Sequence, residues 1–492
     1  MQLGWKTLMH IVEVAAEFAP IAKAGGLGEV LVGLSRELTR TGQKVEVILP
    51  KYGFLSPKSL TRLKIDGSNF SVQEKGQTIA NTMWSAISEN CSLRLLEAHH
   101  PAQYFDRKNI YGAEDDIARF LYFSKAVVEY LSLKKEPIDI LHLHDWHVAA
   151  MAPLLRMLHK EIVVRSIVLS IHNVEYQGRC SASDLEAIGL KEISLLQTEP
   201  GHYNLLKGGI EFADAIVPVS PSYAKEILTK SHGFGLDTAL RHNEDKIQGI
   251  LNGIDLQLWD PSKDPVLTKH FAATDSPEKI KAAKQLNRES IADRFALDAK
   301  KRPWIGAVTR LVYQKGPELI AEGLCQTTRH GGSFALLGAS PAPEIHNRFE
   351  KLKTTQKGGA LIHLEYSEKL AHQLYAALDF LLVPSHFEPC GLTQMIAMRY
   401  GTIPIVHATG GLKDTVFDPE DTHTKSPNGF VFKEWNTDSL NHALARVFKL
   451  WHENSPLIET LRRHGMQTNF GWEKPTLEYL KLFRALLAKS HS

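Results

Sequence analysis

The chain has little of what would commit it to several common protein classes. Only four cysteines occur in 492 residues. Cys91, Cys180, Cys325 and Cys390 are scattered singly with no C-x-x-C spacing, which argues against a disulfide scaffold and fits a reducing compartment. No apolar run approaches the roughly 20 residues needed to cross a bilayer. The opening Met1-Gln2-Leu3-Gly4-Trp5-Lys6 lacks a basic-then-apolar leader pattern, so cytoplasmic residence is the expectation. Net charge is almost absent: 57 basic against 55 acidic residues leave +2. No bulk field therefore draws the chain to nucleic acid or to an anionic membrane. Repeats of solenoid length and low-complexity tracts are missing as well.

What is present is ordinary globular composition, 43% hydrophobic and 23% charged, in a length that predicts two to three domains. Short apolar runs alternate with longer helical patterns, the signature of parallel sheets covered by helices. Strands are expected at 45–49, 138–143, 166–171 and 215–219 in the first half. In the second half they are expected at 304–308, 333–337, 361–364, 380–383 and 403–406. Two doubly wound Rossmann-like domains fit this order better than one barrel. The boundary is expected at the irregular, proline-bearing Trp259-Asp260-Pro261-Ser262-Lys263-Asp264-Pro265. The division is then 1–258, 259–472 and a helical tail, 473–492, whose helix is expected over 476–489 after the Gly471-Trp472-Glu473-Lys474-Pro475 break.

Two strand-to-helix junctions stand out. His10-Ile11-Val12-Glu13-Val14 is followed by Lys23-Ala24-Gly25-Gly26-Leu27 and a helical pattern. Far downstream, Phe380-Leu381-Leu382-Val383 runs into Ser385-His386-Phe387-Glu388-Pro389-Cys390-Gly391-Leu392-Thr393-Gln394. Amides at a helix start form an anion site, and glycine lets a diphosphate approach them. One junction per half implies a ligand held between two lobes. A third basic loop, Thr309-Arg310-Leu311-Val312-Tyr313-Gln314-Lys315-Gly316-Pro317, follows a strand. Arginine there offers a planar fork and lysine a point charge for phosphate oxygens; a solvated surface loop is the alternative.

These segments resemble the K-x-G-G-L, R-L-x-x-Q-K-G and F-E-P-C-G-L-T-Q motifs of bacterial glycogen synthases and plant starch synthases, and the resemblance runs from about residue 8 to about residue 485. It implies the GT-B fold, two Rossmann-like domains facing a central cleft, with the tail crossing back onto the first domain. It also implies Lys23, Gly25 and Gly26 as donor-binding residues, with Glu388 and Cys390 on the active-site loop and Gly391, Leu392 and Thr393 supplying amides near the diphosphate. Glu388 read by itself is equally a carboxylate complementing a helix dipole. Tyr366 is either a base-stacking ring or core. Asn252, in Asn-Gly-Ile-Asp, matches a family segment and also suits a structural turn. Two departures from the common pattern are Glu29, where aspartate is usual, and Ile396, where related retaining transferases often carry a second glutamate.

His142-Leu143-His144-Asp145-Trp146-His147 has the composition of a metal site, but its aspartate is out of register with H-x-H-x-D-H. Lying at the end of a strand, it reads equally as a sugar-facing loop, and the family's H-D-W-H segment matches that. The family's I-H-N-x-x-Y-Q-G segment likewise makes His172 a sugar contact.

The resemblance implies an enzyme that transfers glucose from ADP-glucose to the non-reducing 4-hydroxyl of an α-1,4-glucan, with retention. Arg310, Lys315 and Lys23 would hold the diphosphate; His172, Asp145 and Glu388 would orient the sugar and stabilise positive charge at its anomeric carbon. No D-x-D segment is present to hold a metal, and no metal or other cofactor is expected. The expected partners are ADP-glucose and glucan, with no nucleic acid or membrane; oligomeric state is left open. The rival readings are a pyridoxal-dependent glucan phosphorylase, a metallo-hydrolase using the histidine run, and a non-catalytic binding protein.

Overall fold

Alternating apolar runs and helices build two parallel-sheet units in the computed structural model, which describes residues 8–489 other than 192 and 357. The reading of Met1 to Lys6 and the last residues of the expected tail, 490–492, lie outside these. One unit comprises the chain up to Gly253 together with the segment from Trp472; the other is Ile254–Gly471.

In the first unit the strands are β1 (His10–Val14), β2 (Lys44–Pro50), β3 (Thr61–Glu74), β4 (Gln77–Ser88), β5 (Cys91–Ala98), β6 (Ile138–His144), β7 (Val164–Ile171), β8 (Arg179–Ser181), β9 (Gln197–Glu199), β10 (His202–Asn204) and β11 (Ala215–Pro218). Eight of them form one sheet in the order β11-β7-β6-β1-β2-β5-β4-β3. The run from β11 to β5 is parallel. The sequence reading does not include the antiparallel β3–β4–β5 extension. These strands mix buried with partly buried or exposed positions and carry polar residues among the apolar ones, a weaker signal than the uninterrupted apolar runs of strands covered on both faces.

The second unit holds β12 (Trp304–Val308), β13 (Ser333–Leu337), β14 (Ala360–His363), β15 (Phe380–Val383), β16 (Ile403–His407) and β17 (Phe430–Phe432), all parallel in the order β14-β13-β12-β15-β16-β17. Its core packs Phe334, Leu336, Phe380, Leu382 and Ile405 against the helix faces carrying Leu319, Ile320, Leu324, Leu440 and Leu444. Full burial of each such side chain contributes about 1.5–3 kcal/mol. In each sheet the strand order reverses beside a central strand: β1 lies between β6 and β2, and β12 lies between β13 and β15. Such switch points leave a crevice at the strands' carboxyl ends where ligands bind.

The amino ends of these strands are closed by aspartates. Asp379, fully buried just before β15, accepts from Arg302 Nη2 (2.7 Å), Arg288 Nη2 (2.9 Å) and Trp304 N (2.9 Å). In the first unit Asp139 of β6 accepts from His10 N (2.8 Å) and Arg165 Nη1 (3.0 Å), tying three adjacent strands. Asp214, before β11, accepts from Ile167 N (2.7 Å) and pairs with Arg156.

The tail forms the helix Glu473–Lys489, and its Tyr479, Leu480 and Phe483 join Trp472 in the first unit's core. The expected break is shorter than read: Lys474 and Pro475 lie in the first turn, where a missing N–H costs no intrahelical bond. Gly33, on the helix Gly26–Arg40, is where the indole of Trp472 docks. A Cβ there would lie 2.0 Å from Trp472 Nε1. Gly33→Ala should therefore destabilise the first unit by about 1–3 kcal/mol, the usual cost of overpacking, read as a lowered urea midpoint.

Candidate active site

At the first switch point, strand pairing sets Glu13 of β1 beside His142 of β6, and His144 of β6 beside Ser170 of β7. All four are fully buried. Alternate strand residues share a face, so His142 and His144 both reach Glu13. Nε2 of His144 lies 2.6 Å and Nδ1 of His142 lies 2.9 Å from Glu13 Oε2. Burial would raise the Glu13 pKa, but the adjacent His142 and the hydrogen bond from His144 hold it down at about 2. His142 Nε2 meets Ser170 Oγ at 2.7 Å, and Ser170 Oγ lies 3.3 Å from Tyr479 OH of the tail. His144 Nδ1 reaches His172 Nε2 at 3.0 Å. His147, the third histidine of the run, departs from this group. It packs against Tyr111 and Phe120, and burial pushes its pKa down to about 3.

Asp145 follows β6 with φ +62°, a backbone region that non-glycine residues occupy at a cost and that clusters at functional sites. Its carboxylate accepts from His172 N at 2.7 Å and more weakly from Asn173 N at 3.4 Å. Burial pushes its pKa up to about 7 against these two donors, with the Glu17 charge adding to the rise. Asp145 thus shapes the Ile171-His172-Asn173 turn directly.

The Lys23-Ala24-Gly25-Gly26-Leu27 junction is organised by Glu17, a residue that sequence reasoning missed. Its Oε2 accepts from both Ala24 N and Gly25 N at 2.8 Å, and Tyr111 OH donates to Oε1 at 2.8 Å. Two amides of the expected anion site are therefore occupied, which leaves the amides from Gly26 onward as the available donors. Lys23 Nζ pairs with Glu29 at 2.5 Å, so the departure at position 29 touches this lysine itself. Asn252 is buried, and its Oδ1 has no hydrogen-bond partner among the described residues.

In the second unit the loops after β12, β15 and β16 lock together. Gly316, in the left-handed region at φ +65°, lets the first loop approach the second: a Cβ there would lie 2.4 Å from Pro384 O. His386 N donates to Gln314 O (2.8 Å), and Gln314 Nε2 donates to Phe387 O (3.1 Å). This brings Lys315 Nζ to 2.6 Å from Glu388 Oε2, to which Ser385 Oγ also donates (2.8 Å). His407 Nδ1–H holds the Ser385 carbonyl at 2.7 Å, and Gly411 N donates to Glu388 O at 3.0 Å. His407 and the Thr409-Gly410-Gly411 turn are further residues that no sequence signal singled out; only the adjacency of β15 and β16 brings them here.

Arg310 is exposed and makes no side-chain hydrogen bond or ion pair among the described residues. Cys390 is buried, while Gly391, Leu392 and Thr393 are partly open at the start of the helix Thr393–Arg399. Gln394 folds back to donate to Gly391 O (2.8 Å). Tyr366 is not core: it is 73% exposed, with its hydroxyl on Glu368. Glu13, His142 and His144 are also the described residues whose donor atoms, all within 4.8 Å of one another, could surround a cation. Both nitrogens of each ring already face Glu13, Ser170 or His172.

A phosphate-suited basic loop beside a carboxylate at one switch point, and a histidine-aspartate turn at another, on two parallel-sheet units, define a GT-B glycosyltransferase. Residues 10–242 match the starch synthase catalytic domain model and residues 289–464 the glycosyl transferases group 1 model. The chain is 40% identical to the glycogen synthase of Protochlamydia amoebophila, over 98% of this chain and all of that one. It is 37% identical to glycogen synthase 1 of Nitrosococcus oceani, over 96% of this chain and 99% of that one. The catalytic domain of starch synthase IV from Arabidopsis thaliana, solved with ADP and acarbose, superposes with a TM-score of 0.92 at 37% identity, covering 98% of this chain and all of that one. Sucrose-phosphate synthase from Thermosynechococcus elongatus shares the fold alone, with a TM-score of 0.61 at 18% identity, covering 98% and 100%. The chain belongs to the glycogen and starch synthase family.

The raised pKa of Asp145 has a thermodynamic consequence. Its stabilising share is fully present below the unfolded value near 3.8 and is lost as pH rises through about 7. Asp145→Asn carries no such loss. Its stability relative to wild type should therefore rise between pH 5 and pH 8 by on the order of 2–3 kcal/mol, measured as urea midpoints at the two pH values.

Proposed function

We propose that the chain elongates α-1,4-glucan by transferring glucose from ADP-glucose to a non-reducing-end 4-hydroxyl, with retention of the anomeric configuration. The observation that carries this reading is the Lys315–Glu388 pair at the carboxyl ends of β12 and β15, with Arg310 exposed on the same loop as Lys315 and without a side-chain partner among the described residues. The glycogen synthase relatives and the ADP and acarbose bound by the starch synthase IV domain support it. In this reading the first unit serves the acceptor and the second the nucleotide sugar. The four cysteines, which form no disulfide among the described residues, support a cytoplasmic setting, and no helix among the described residues is long and apolar enough to cross a membrane.

In the second unit Arg310 and Lys315 neutralise the leaving diphosphate as charge develops on it, an effect that is strongest where donors are already in place. Amides of Gly391 to Thr393 add to it, and Tyr366 is assigned to substrate binding; in the first unit Lys23, Gly25, Gly26 and Asn252 are assigned to substrate binding. Cys390 lines the Glu388 loop. His172 and Asp145 set the sugar's orientation, and Glu388 stabilises positive charge at the anomeric carbon. Its single close cation, Lys315, leaves its second oxygen for the sugar side. Breakage of the C1–phosphate bond then places the electron pair on the nucleotide phosphate. The acceptor oxygen attacks C1 from the same face, and its proton passes to the departing phosphate. In this reading the basic residues replace the metal that other transferases use.

A donor panel with glycogen as acceptor tests the reading, following nucleotide release and polymer growth together. ADP-glucose should support both, and activity should survive exhaustive chelation; loss restored by added magnesium or zinc would overturn the metal-free mechanism. A charge-assisted hydrogen bond is worth about 1.5–3 kcal/mol, so Arg310→Ala and Lys315→Ala should each lower kcat/KM at least about tenfold. Arg310→Ala, having no internal partner to lose, should keep the wild-type unfolding midpoint. Lys315→Ala should lower it, because Glu388 is left unpaired.

A further inference from the structure

Glu13, His144 and His172 form a hydrogen-bonded row across three adjacent strands, from β1 through β6 to the turn after β7. Glu13 Oε2 to His144 Nε2 is 2.6 Å and His144 Nδ1 to His172 Nε2 is 3.0 Å. Glu13 and His144 have no exposed surface, whereas His172 is partly open. The far nitrogen of His172, Nδ1, has no hydrogen-bond partner among the described residues. We propose that Glu13 and His144 are positioning residues that fix His172 as its Nε2–H tautomer, leaving the Nδ1 lone pair to accept a hydrogen bond from a hydroxyl of the substrate sugar. This deepens, and rests on, the reading that His172 meets the donor.

With Glu13 ionised and His144 neutral, the protons follow from donor and acceptor chemistry. An ionised carboxylate only accepts, so the proton in the 2.6 Å contact belongs to His144 Nε2. A neutral imidazole carries one N–H, so His144 Nδ1 is an acceptor. The 3.0 Å contact then requires His172 Nε2 to donate, because the opposite tautomer would set two lone pairs against each other. His172 Nδ1 is bare in consequence. The peptide is held too, since Asp145 accepts from His172 N at 2.7 Å. Ring tautomer and backbone position are thus set by two different carboxylates.

The protonation states are consistent with this. Burial, reinforced by His142, lowers His144 to about 4 despite the opposing pull of Glu13. Burial and the two neighbouring histidines also drive His172 well below its ordinary value, while Glu13 stays ionised. A neutral acceptor ring suits a hydroxyl better than a cation would where positive charge develops on the sugar. A cation among Glu13, His142 and His144 is the competing use of the same atoms. It would have to displace the contacts to Ser170 and His172 within a cluster that has no exposed surface.

The test uses the full chain labelled with 15N at the histidine rings, the His172 signals being assigned by difference against His172→Gln. At neutral pH, two-bond proton–nitrogen spectra should show His172 protonated at Nε2 and bare at Nδ1. A proton on Nδ1, or on both nitrogens, overturns the proposal, as does stoichiometric metal in the purified protein that exchanges with added zinc. In His144→Phe, which keeps a ring but no acceptor, His172 should become a mixture of tautomers. Its kcat should fall at least about tenfold, with donor KM within about threefold of wild type. A merely structural His144 would lower the unfolding midpoint and leave His172 wholly Nε2–H with normal kcat, which overturns the proposal. If the variant does not fold, the wild-type spectrum still decides. Wild-type protein that fails to transfer glucose would remove the proposed function instead, without touching the tautomer result.

Discussion

The constraint on which the rest depends is the asymmetry between the two ends of each parallel sheet. At the amino ends, buried or half-buried aspartates accept from the backbone and arginines of neighbouring strands: Asp379 for β12 and β15, Asp139 for β1, β6 and β7. Those ends are thereby fixed in register, with their polar groups satisfied. At the carboxyl ends the strand order reverses, no crossover covers the adjacent strands, and their loops are left to carry function.

What sits there is charge held under tension. Asp145 is a buried carboxyl whose ionisation is opposed by its surroundings, on a backbone that non-glycine residues seldom adopt. Glu13 is a fully buried carboxylate compensated by imidazoles rather than by arginine. Glu388 shares one lysine and one hydroxyl. By contrast, Asp379 is saturated by two arginines and an amide, and its pKa is driven far down: burial alone would raise it, but the arginine charges outweigh that. Asp379 is over-compensated by its partners, whereas burial of Asp145 outweighs its two amide donors.

The sheets were legible where strands are covered on both faces, since burial on two sides demands an unbroken apolar run, as in Phe380-Leu381-Leu382-Val383. The β3–β5 extension escaped because half-buried strands dilute that signal with polar residues. The histidine run shows the same limit in the site. Residues 142 and 144 share a face by the two-residue period of a strand, but nothing local says that the facing strand presents Glu13. Without the strand pairing, nothing shows that this carboxylate engages His144 and lies beside His142. Glu17, four residues beyond β1's Glu13, was likewise silent until the chain turned its carboxylate onto the amides of Ala24 and Gly25.

By itself, then, the sequence determined the doubly wound class, the position of the phosphate-suited loops and the identity of the basic and acidic groups, because each depends on a few contiguous residues with a local signature. Only the tertiary structure decided which of those groups are spent on one another: Lys23 on Glu29, Lys315 on Glu388, the Gly25 amide on Glu17, and His144 on Glu13 and His172. The physical reason is that hydrogen bonds and ion pairs act over about 3 Å. Strand pairing brings Glu13, His144 and His172, and likewise Lys315 and Glu388, to that range from distant parts of the chain, whereas Lys23 meets Glu29 and the Gly25 amide meets Glu17 through the path of a single loop.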